Sequence, residues 1–91
     1  EELIKIDVEE INITAQEKAE KAICFLKLHD DRAFVRQCLI GIYGNKRLAI
    51  VQQYFDKWQQ GENAEPNIIK KDNAGRFHAN SWLREYKHSG S

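Results

Sequence analysis

Basic side chains gather in the second half of this chain, at a spacing suited to binding phosphate groups. Lys70, Lys71 and Arg76 surround the stretch Asp72–Gly75. Asp is favoured at the first position of a type I β-turn and Gly at the fourth. With apolar residues on both sides, the pattern predicts a basic β-hairpin over residues 68–78. Such a hairpin would contact phosphates, which positions a protein without reading base sequence. The alternative is a solvated turn whose charges prevent edge-to-edge aggregation.

A predicted third helix, residues 46–60, adds polar side chains that could contact bases. It follows a second helix after a short joint at Gly44 and Asn45, as in a helix-turn-helix. Gln can bond adenine edges, and Lys or Arg can bond guanine or phosphate. The alternative is an ordinary helix pair with a polar outer face. Under the first interpretation the nucleic-acid-binding residues are Lys46, Arg47, Gln52, Gln53, Lys57, Lys70, Lys71 and Arg76.

The remaining elements follow from apolar periodicity and from helix-capping residues. The predicted core-facing stripes are Ala15, Ala19, Ala22, Ile23 and Leu26 on the first helix, Phe34, Val35, Cys38, Leu39 and Ile42 on the second, and Leu48, Val51, Phe55 and Trp58 on the third. Thr14 and Glu17 form a capping box, which predicts that the first helix starts at Ala15. Gly61 is expected to end the third helix. The predicted elements are a strand at 3–8, helices at 15–28, 32–43 and 46–60, a loop at 61–67, the hairpin, and a short last helix at 82–87.

The fold class predicted from these elements is mainly α, with a three-helix core, a C-terminal β-hairpin and a short final helix. The whole chain, residues 1–91, is expected to be one domain, with a lead at 1–13, the core at 14–60 and the additions at 61–91. Helices followed by a basic hairpin resemble the order of parts in winged helix-turn-helix domains. The chain departs from that order because its candidate strand precedes the first helix. The resemblance therefore carries no residue roles over to this chain.

The charge balance favours a second class of function. The net charge is zero, but residues 1–44 hold nine acids and six bases, whereas residues 45–91 hold five acids and eight bases. A neutral chain is poorly suited to bind DNA alone, since phosphate neutralisation supplies much of that affinity. The rival hypothesis is a protein-interaction or inhibitor domain, or a homodimer. Its contact surface would be the acidic segment Glu1–Glu10 or a surface of Tyr43, Ile50 and Tyr54. The alternative to that apolar surface is a core wider than the predicted stripes.

The sequence offers little for catalysis. His29, His78 and His88 have no metal-ligand spacing, and no glycine-rich phosphate loop is present. Cys24 and Cys38 are predicted to be buried free thiols, with a disulfide as the alternative. We therefore expect no enzyme activity, no cofactor and no metal, together with a cytoplasmic location and no membrane partner.

Aromatic residues near the C-terminus allow a further alternative. Trp82 and Tyr86 alternate with basic residues, a pattern that could stack on single-stranded bases. Their spacing of four residues favours instead the docking of a helix onto the core. The leading prediction is a small accessory or regulatory nucleic-acid-binding module that contacts DNA through helix 3 and the hairpin.

Overall fold

The computed structural model describes the backbone of residues 8–89 and the side chains of residues 14–89. The prediction of a mainly helical chain is confirmed, but residues 8–89 form four full helices where a three-helix core with a short final helix was expected. The elements are α1 (Val8–Cys24), α2 (His29–Cys38), α3 (Gly44–Ala64), a 3-10 turn (Ile68–Lys70) and α4 (Lys71–His88). The predicted strand lies outside the described residues except for Val8, which is helical.

The helices alternate in direction, as in an up-and-down bundle. α2 and α4 run the same way, since Asp31 and then Gln37 of α2 accept bonds from Arg76 and then Lys87 of α4. α1 and α3 run the opposite way, and the amide of Gly44 at the start of α3 donates to Gln16 of α1 at 3.3 Å. Going around the bundle, α1 packs on α2, α2 on α4, α4 on α3 and α3 on α1. One end of the bundle therefore holds the α1–α2 turn beside the α3–α4 connection, and the other end holds the α2–α3 loop.

The predicted boundaries of the first helix were wrong at both ends. Residues 8–13 contain neither Gly nor Pro, so nothing interrupts the helix before the capping box, and Thr14 lies inside α1. The helix ends at Cys24, after which the amides of Phe25 and Leu26 bond three residues back instead of four. Arg32 then donates to the carbonyl oxygens of Leu26 and Lys27 at 2.5 and 3.2 Å.

The connection between α2 and α3 differs from the predicted one because two glycines, Gly41 and Gly44, adopt positive φ angles. Gly41 has φ +86° and turns the chain after α2, while Gly44 has φ +64° and begins α3. Both angles lie in the left-handed region that glycine adopts without a steric penalty. The second helix was predicted to reach Tyr43, but it ends at Cys38.

The predicted hairpin is wrong, because residues 68–78 form the 3-10 turn and the first half of α4. Gly75 is not a turn residue. It lies inside α4 where a Cβ atom would fall 2.5 Å from Cδ1 of Trp58. Gly61, predicted to end the third helix, lies inside α3, where a Cβ atom would fall 2.6 Å from the Ala74 carbonyl oxygen. The two glycines let α3 and α4 approach closely, and this packing excludes a hairpin.

The core is formed by the inward stripes of all four helices. The predicted stripe of α1 is confirmed, since Ala19 and Ile23 are fully buried and Leu26 nearly so. On α3 the buried stripe is wider than predicted and includes Ile50 and Tyr54. The largest fully buried side chains are Tyr54, Ile23, Leu39, Leu83, Val35 and Val51.

Candidate functional site

Three of the eight predicted nucleic-acid-binding residues hold the fold together through their basic groups. Arg47 donates from Nη1 to the carbonyl oxygens of Leu39 and Ile42, at 3.2 and 3.1 Å, and so fastens the α2–α3 loop. Lys71 donates from Nζ to the carbonyl oxygens of Glu62 and Glu65, at 2.8 and 2.7 Å. Leu39 and Glu62 also accept backbone amide bonds at these carbonyl oxygens, so the basic side chains add a second donor there.

Arg76, the third of these residues, pairs with a buried carboxylate. Its Nε donates to both oxygens of Asp31, at 2.8 and 2.9 Å. The hydrogen bond and the charge of Asp31 raise the pKa of Arg76 above its ordinary value. Since Asp31 is 2% exposed, removing its partner would leave a charge without compensation in the interior.

The ion pair extends into a polar network that joins three helices. Asn80 donates from Nδ2 to Asp31 at 3.3 Å and accepts a bond from the Tyr54 hydroxyl at 2.5 Å. Burial is the main cause that raises the pKa of Tyr54, so its hydroxyl stays protonated and can donate. The network thereby links α2, α3 and α4 through side chains, and it fixes Arg76 at the surface.

The other five predicted residues lie on α3 and in the 3-10 turn. Lys46, Gln52 and Gln53 are exposed on α3, and Lys57 is half-buried on the same helix. Lys46 and Lys57 are eleven residues apart, or about 16 Å along the helix axis. Asp56 is exposed beside Lys57, and Lys70 lies outside α3 in the 3-10 turn. Gln52 and Gln53 carry no charge, so the basic groups among these five residues are those of Lys46, Lys57 and Lys70.

The predicted apolar surface of Tyr43, Ile50 and Tyr54 is also wrong. Ile50 and Tyr54 belong to the core, and Tyr43 alone of the three is exposed. The alternative to that surface, a core wider than the predicted stripes, is confirmed. Trp82 and Tyr86 stack on each other with ring centroids 5.6 Å apart, and both pack against the core as their four-residue spacing predicted.

An apolar cleft of about 380 Å³ opens at the end of the bundle where α1 meets α2. Phe25 is 81% exposed and Leu28 49% exposed, and both line it. Trp58 forms the third apolar wall, and its indole Nε1 donates to Glu62 at 3.2 Å. Its polar lining residues are Lys27, Asp31, Glu62, Asp72, Asn73 and Arg76.

The charges of the cleft leave a small acidic excess. Asp31 and Arg76 neutralise each other through their ion pair. Lys27 then faces Glu62 and Asp72, which gives one base against two acids. A group bound in the cleft would thus contact apolar side chains and a weakly negative rim. Asp31 and Arg76 of the polar network also line the cleft.

Sequence reasoning missed this cleft because its walls come from distant parts of the chain. Phe25 lies off the predicted core-facing stripe of the first helix. An apolar side chain outside that stripe is a sequence signal for an exposed apolar surface. Trp58 was assigned entirely to the core. Gly75 brings Trp58 close to α4, so the cleft depends on the glycine that was interpreted as a turn residue.

The two cysteines differ in their exposure to solvent. Cys38 is buried and free as predicted, and burial raises the pKa of its thiol. The prediction that Cys24 is buried was wrong, since this thiol is exposed and lies 3.8 Å from Nη2 of Arg36. Among the described side chains, no three His, Cys, Asp or Glu residues are placed to hold a metal ion.

Within residues 8–89, none of the helices combines the length and the hydrophobicity needed to cross a membrane. Comparisons with protein-family models, with curated proteins and with solved structures found no match.

Proposed function

We propose that this protein is a protein-interaction module that binds a segment of a partner protein in the cleft between the α1–α2 turn, α2, α3 and α4. The observation that carries the proposal is the exposure of Phe25 and Leu28 beside Trp58. Large apolar side chains left exposed around a concave surface mark a site of protein contact. The buried network beneath the cleft keeps its floor rigid, which lowers the entropic cost of binding.

The occupant is an apolar side chain of the partner flanked by Lys or Arg. The apolar walls require an apolar side chain, and the acidic excess at Glu62 and Asp72 favours a basic residue beside it. Complementary charge at the rim of an interface raises the association rate and selects the partner. This segment buries the aromatic rings of Phe25 and Trp58 from water, which supplies most of the affinity.

The experiment is selection from a peptide library on the immobilised full chain, followed by titration of the selected peptides. The expected sequences contain an aromatic or aliphatic residue next to Lys or Arg. Phe25→Ser should abolish their binding, whereas Ile69→Ser, at an equally exposed apolar position outside the cleft lining, should leave it unchanged. Selected peptides of this apolar and basic type that bind Phe25→Ser as tightly as the wild type would overturn the proposal.

Nucleic-acid binding stays a prediction, carried by the exposed residues Lys46, Gln52 and Gln53 on α3. Fluorescence anisotropy against labelled duplex and single-stranded DNA at two salt concentrations tests it. Affinity that falls steeply with salt and is lost in Lys46→Glu would support DNA contact through α3. No binding at low salt would exclude it and leave the protein-interaction proposal.

A further inference from the structure

A second concave surface lies at the opposite end of the bundle, between the α2–α3 loop and the end of α4. Its volume is about 330 Å³. Ile40 and Ile42 form apolar walls from the loop, and Tyr86 adds an aromatic wall from α4. Cys38, which is buried, also lines the pocket. We call this surface the basic pocket because of its charged residues.

The charged residues that line the basic pocket are all positive. They are Lys46 at the start of α3 and Lys87 at the end of α4, and no acidic side chain lines the pocket. The ammonium group of Lys87 makes one long hydrogen bond, 3.4 Å, to the carbonyl oxygen of Gln37. The first turn of α3 contains no acidic residue to offset its positive end. The pocket therefore combines a positive rim with apolar walls, whereas the cleft at the other end has an acidic excess.

The apolar surface continues beyond the basic pocket. Ile40 is 73% exposed, and Tyr43, nearby in the same loop, is 63% exposed. The loop that carries them is held by the two bonds from Arg47 to the Leu39 and Ile42 carbonyl oxygens. A fixed loop presents its apolar side chains in one arrangement, so little entropy is lost when a partner covers them.

We propose that the basic pocket binds an acidic, apolar segment of a partner protein. A carboxylate of the segment lies between Lys46 and Lys87, and a neighbouring apolar side chain packs on Ile40 and Ile42. Charge complementarity decides the occupant, since a basic segment would be repelled by both lysines and a neutral one would leave them unpaired. The proposal is independent of the cleft, because the two surfaces share no lining residue.

The test uses the full chain and two labelled peptides, one with alternating Glu and Leu and one in which each Glu is replaced by Gln. The acidic peptide should bind, with an affinity that falls as salt rises. Lys46→Glu with Lys87→Glu should weaken binding by about tenfold or more. The matched control is Lys18→Glu with Lys21→Glu, which makes the same charge change on exposed positions of α1 and should change binding little.

A second measurement places the peptide on the structure. The backbone amide of Gly41 lies in the lining of the basic pocket, so its NMR signal should shift on binding while those of Gly61 and Gly75 stay in place. The proposal would be overturned if the Gln peptide bound as tightly as the Glu peptide. It would also be overturned if Lys18→Glu with Lys21→Glu weakened binding as much as Lys46→Glu with Lys87→Glu.

Two other occupants give distinct results, and each overturns the proposal of a separate partner. If the chain alone sediments as a dimer that Lys46→Glu with Lys87→Glu dissociates, the occupant is a second copy. If the acidic peptide binds only after residues 1–7 are deleted, the chain's own acidic N-terminal segment fills the basic pocket.

Discussion

Asp31 and Arg76 are separated by 45 residues, yet they form the ion pair on which the candidate cleft rests. The carboxylate is buried on α2, and the guanidinium reaches it from α4 with part of its side chain still in solvent. Asn80 and Tyr54 complete the polar network, and no buried polar side-chain atom within the described part of the chain lacks a hydrogen-bond partner. The network thus ties the short helix α2 to the longer pair α3 and α4.

Asp31→Ala should destabilise the protein strongly. The variant removes the acceptor that the partly buried Arg76 and Asn80 share. Breaking a buried ion pair usually lowers the free energy of unfolding by about 3 kcal/mol or more. Because Arg76 is partly exposed, we expect a loss of about 3 kcal/mol here. Chemical unfolding should therefore show a much lower midpoint, and the Tm should fall on the order of 15 °C.

Asp30→Ala is the matched control for this prediction. Asp30 is the neighbouring carboxylate on α2, and its side chain is almost fully exposed. Its removal should change the free energy of unfolding by about 0.5 kcal/mol or less. If both variants unfold at the wild-type midpoint, Asp31 does not stabilise the fold.

The sequence was sufficient to predict the helical core where spacing alone decides burial. The apolar positions of α1 and α2, such as Ala19, Ile23 and Val35, were predicted and are buried. Local spacing could not show which of two roles a glycine has. Gly75 is compatible with a turn and with close helix packing, and Trp58, seventeen positions earlier, decides between them. Arg76 was assigned to phosphate binding because its partner, Asp31, lies on another helix.

A sequence signal for α4 was nevertheless present. Gly75, Ala79 and Leu83 repeat at four-residue spacing, as the buried face of a helix requires, and all three are buried. Asn67 accepts a bond from the Ile69 amide at 2.9 Å and so starts the 3-10 turn that leads into α4. Capping by Asn and a small-residue stripe together indicate a helix. The Asn67 cap and the four-residue repeat together predict a helix more strongly than the Asp72–Gly75 pattern predicts a turn.

Gly75→Ala should lower stability, although alanine favours helix. At an exposed helical position, replacing glycine with alanine stabilises by about 0.5–1 kcal/mol. Here the new methyl group would meet the Trp58 ring and backbone, so we expect a net loss of about 1–3 kcal/mol. Ala49→Gly, on the exposed face of α3, measures the difference in helix propensity between alanine and glycine without a packing change. A more stable Gly75→Ala variant would show that α3 and α4 do not approach closely.

Stability should fall at alkaline pH because of Tyr54. Burial raises the pKa of this hydroxyl above its ordinary value of 10.0. In the unfolded chain the tyrosine loses its proton near that value, while in the folded protein it stays protonated. The unfolded state then binds fewer protons, so the contribution of Tyr54 to the free energy of unfolding is constant below about pH 10 and decreases above it. Urea unfolding at pH 7 and at pH 11 measures the difference. Tyr54→Phe should reduce this pH dependence, and an equally steep fall in the variant would assign it to other groups.

Lys71 and Lys70 are adjacent lysines with different roles, and alanine substitution should separate them. Lys71 bonds the Glu62 and Glu65 carbonyl oxygens at the end of α3, whereas Lys70 is exposed in the 3-10 turn. Hydrogen bonds from a charged group contribute about 1.5 kcal/mol or more, which we reduce to about 1 kcal/mol for a half-exposed side chain. Lys71→Ala should therefore lower the free energy of unfolding by about 1 kcal/mol and speed amide exchange at the end of α3. Lys70→Ala should leave both measurements unchanged. Equal effects of the two substitutions would show that Lys71 does not stabilise the helix end and would make it available, with Lys70, for binding a partner.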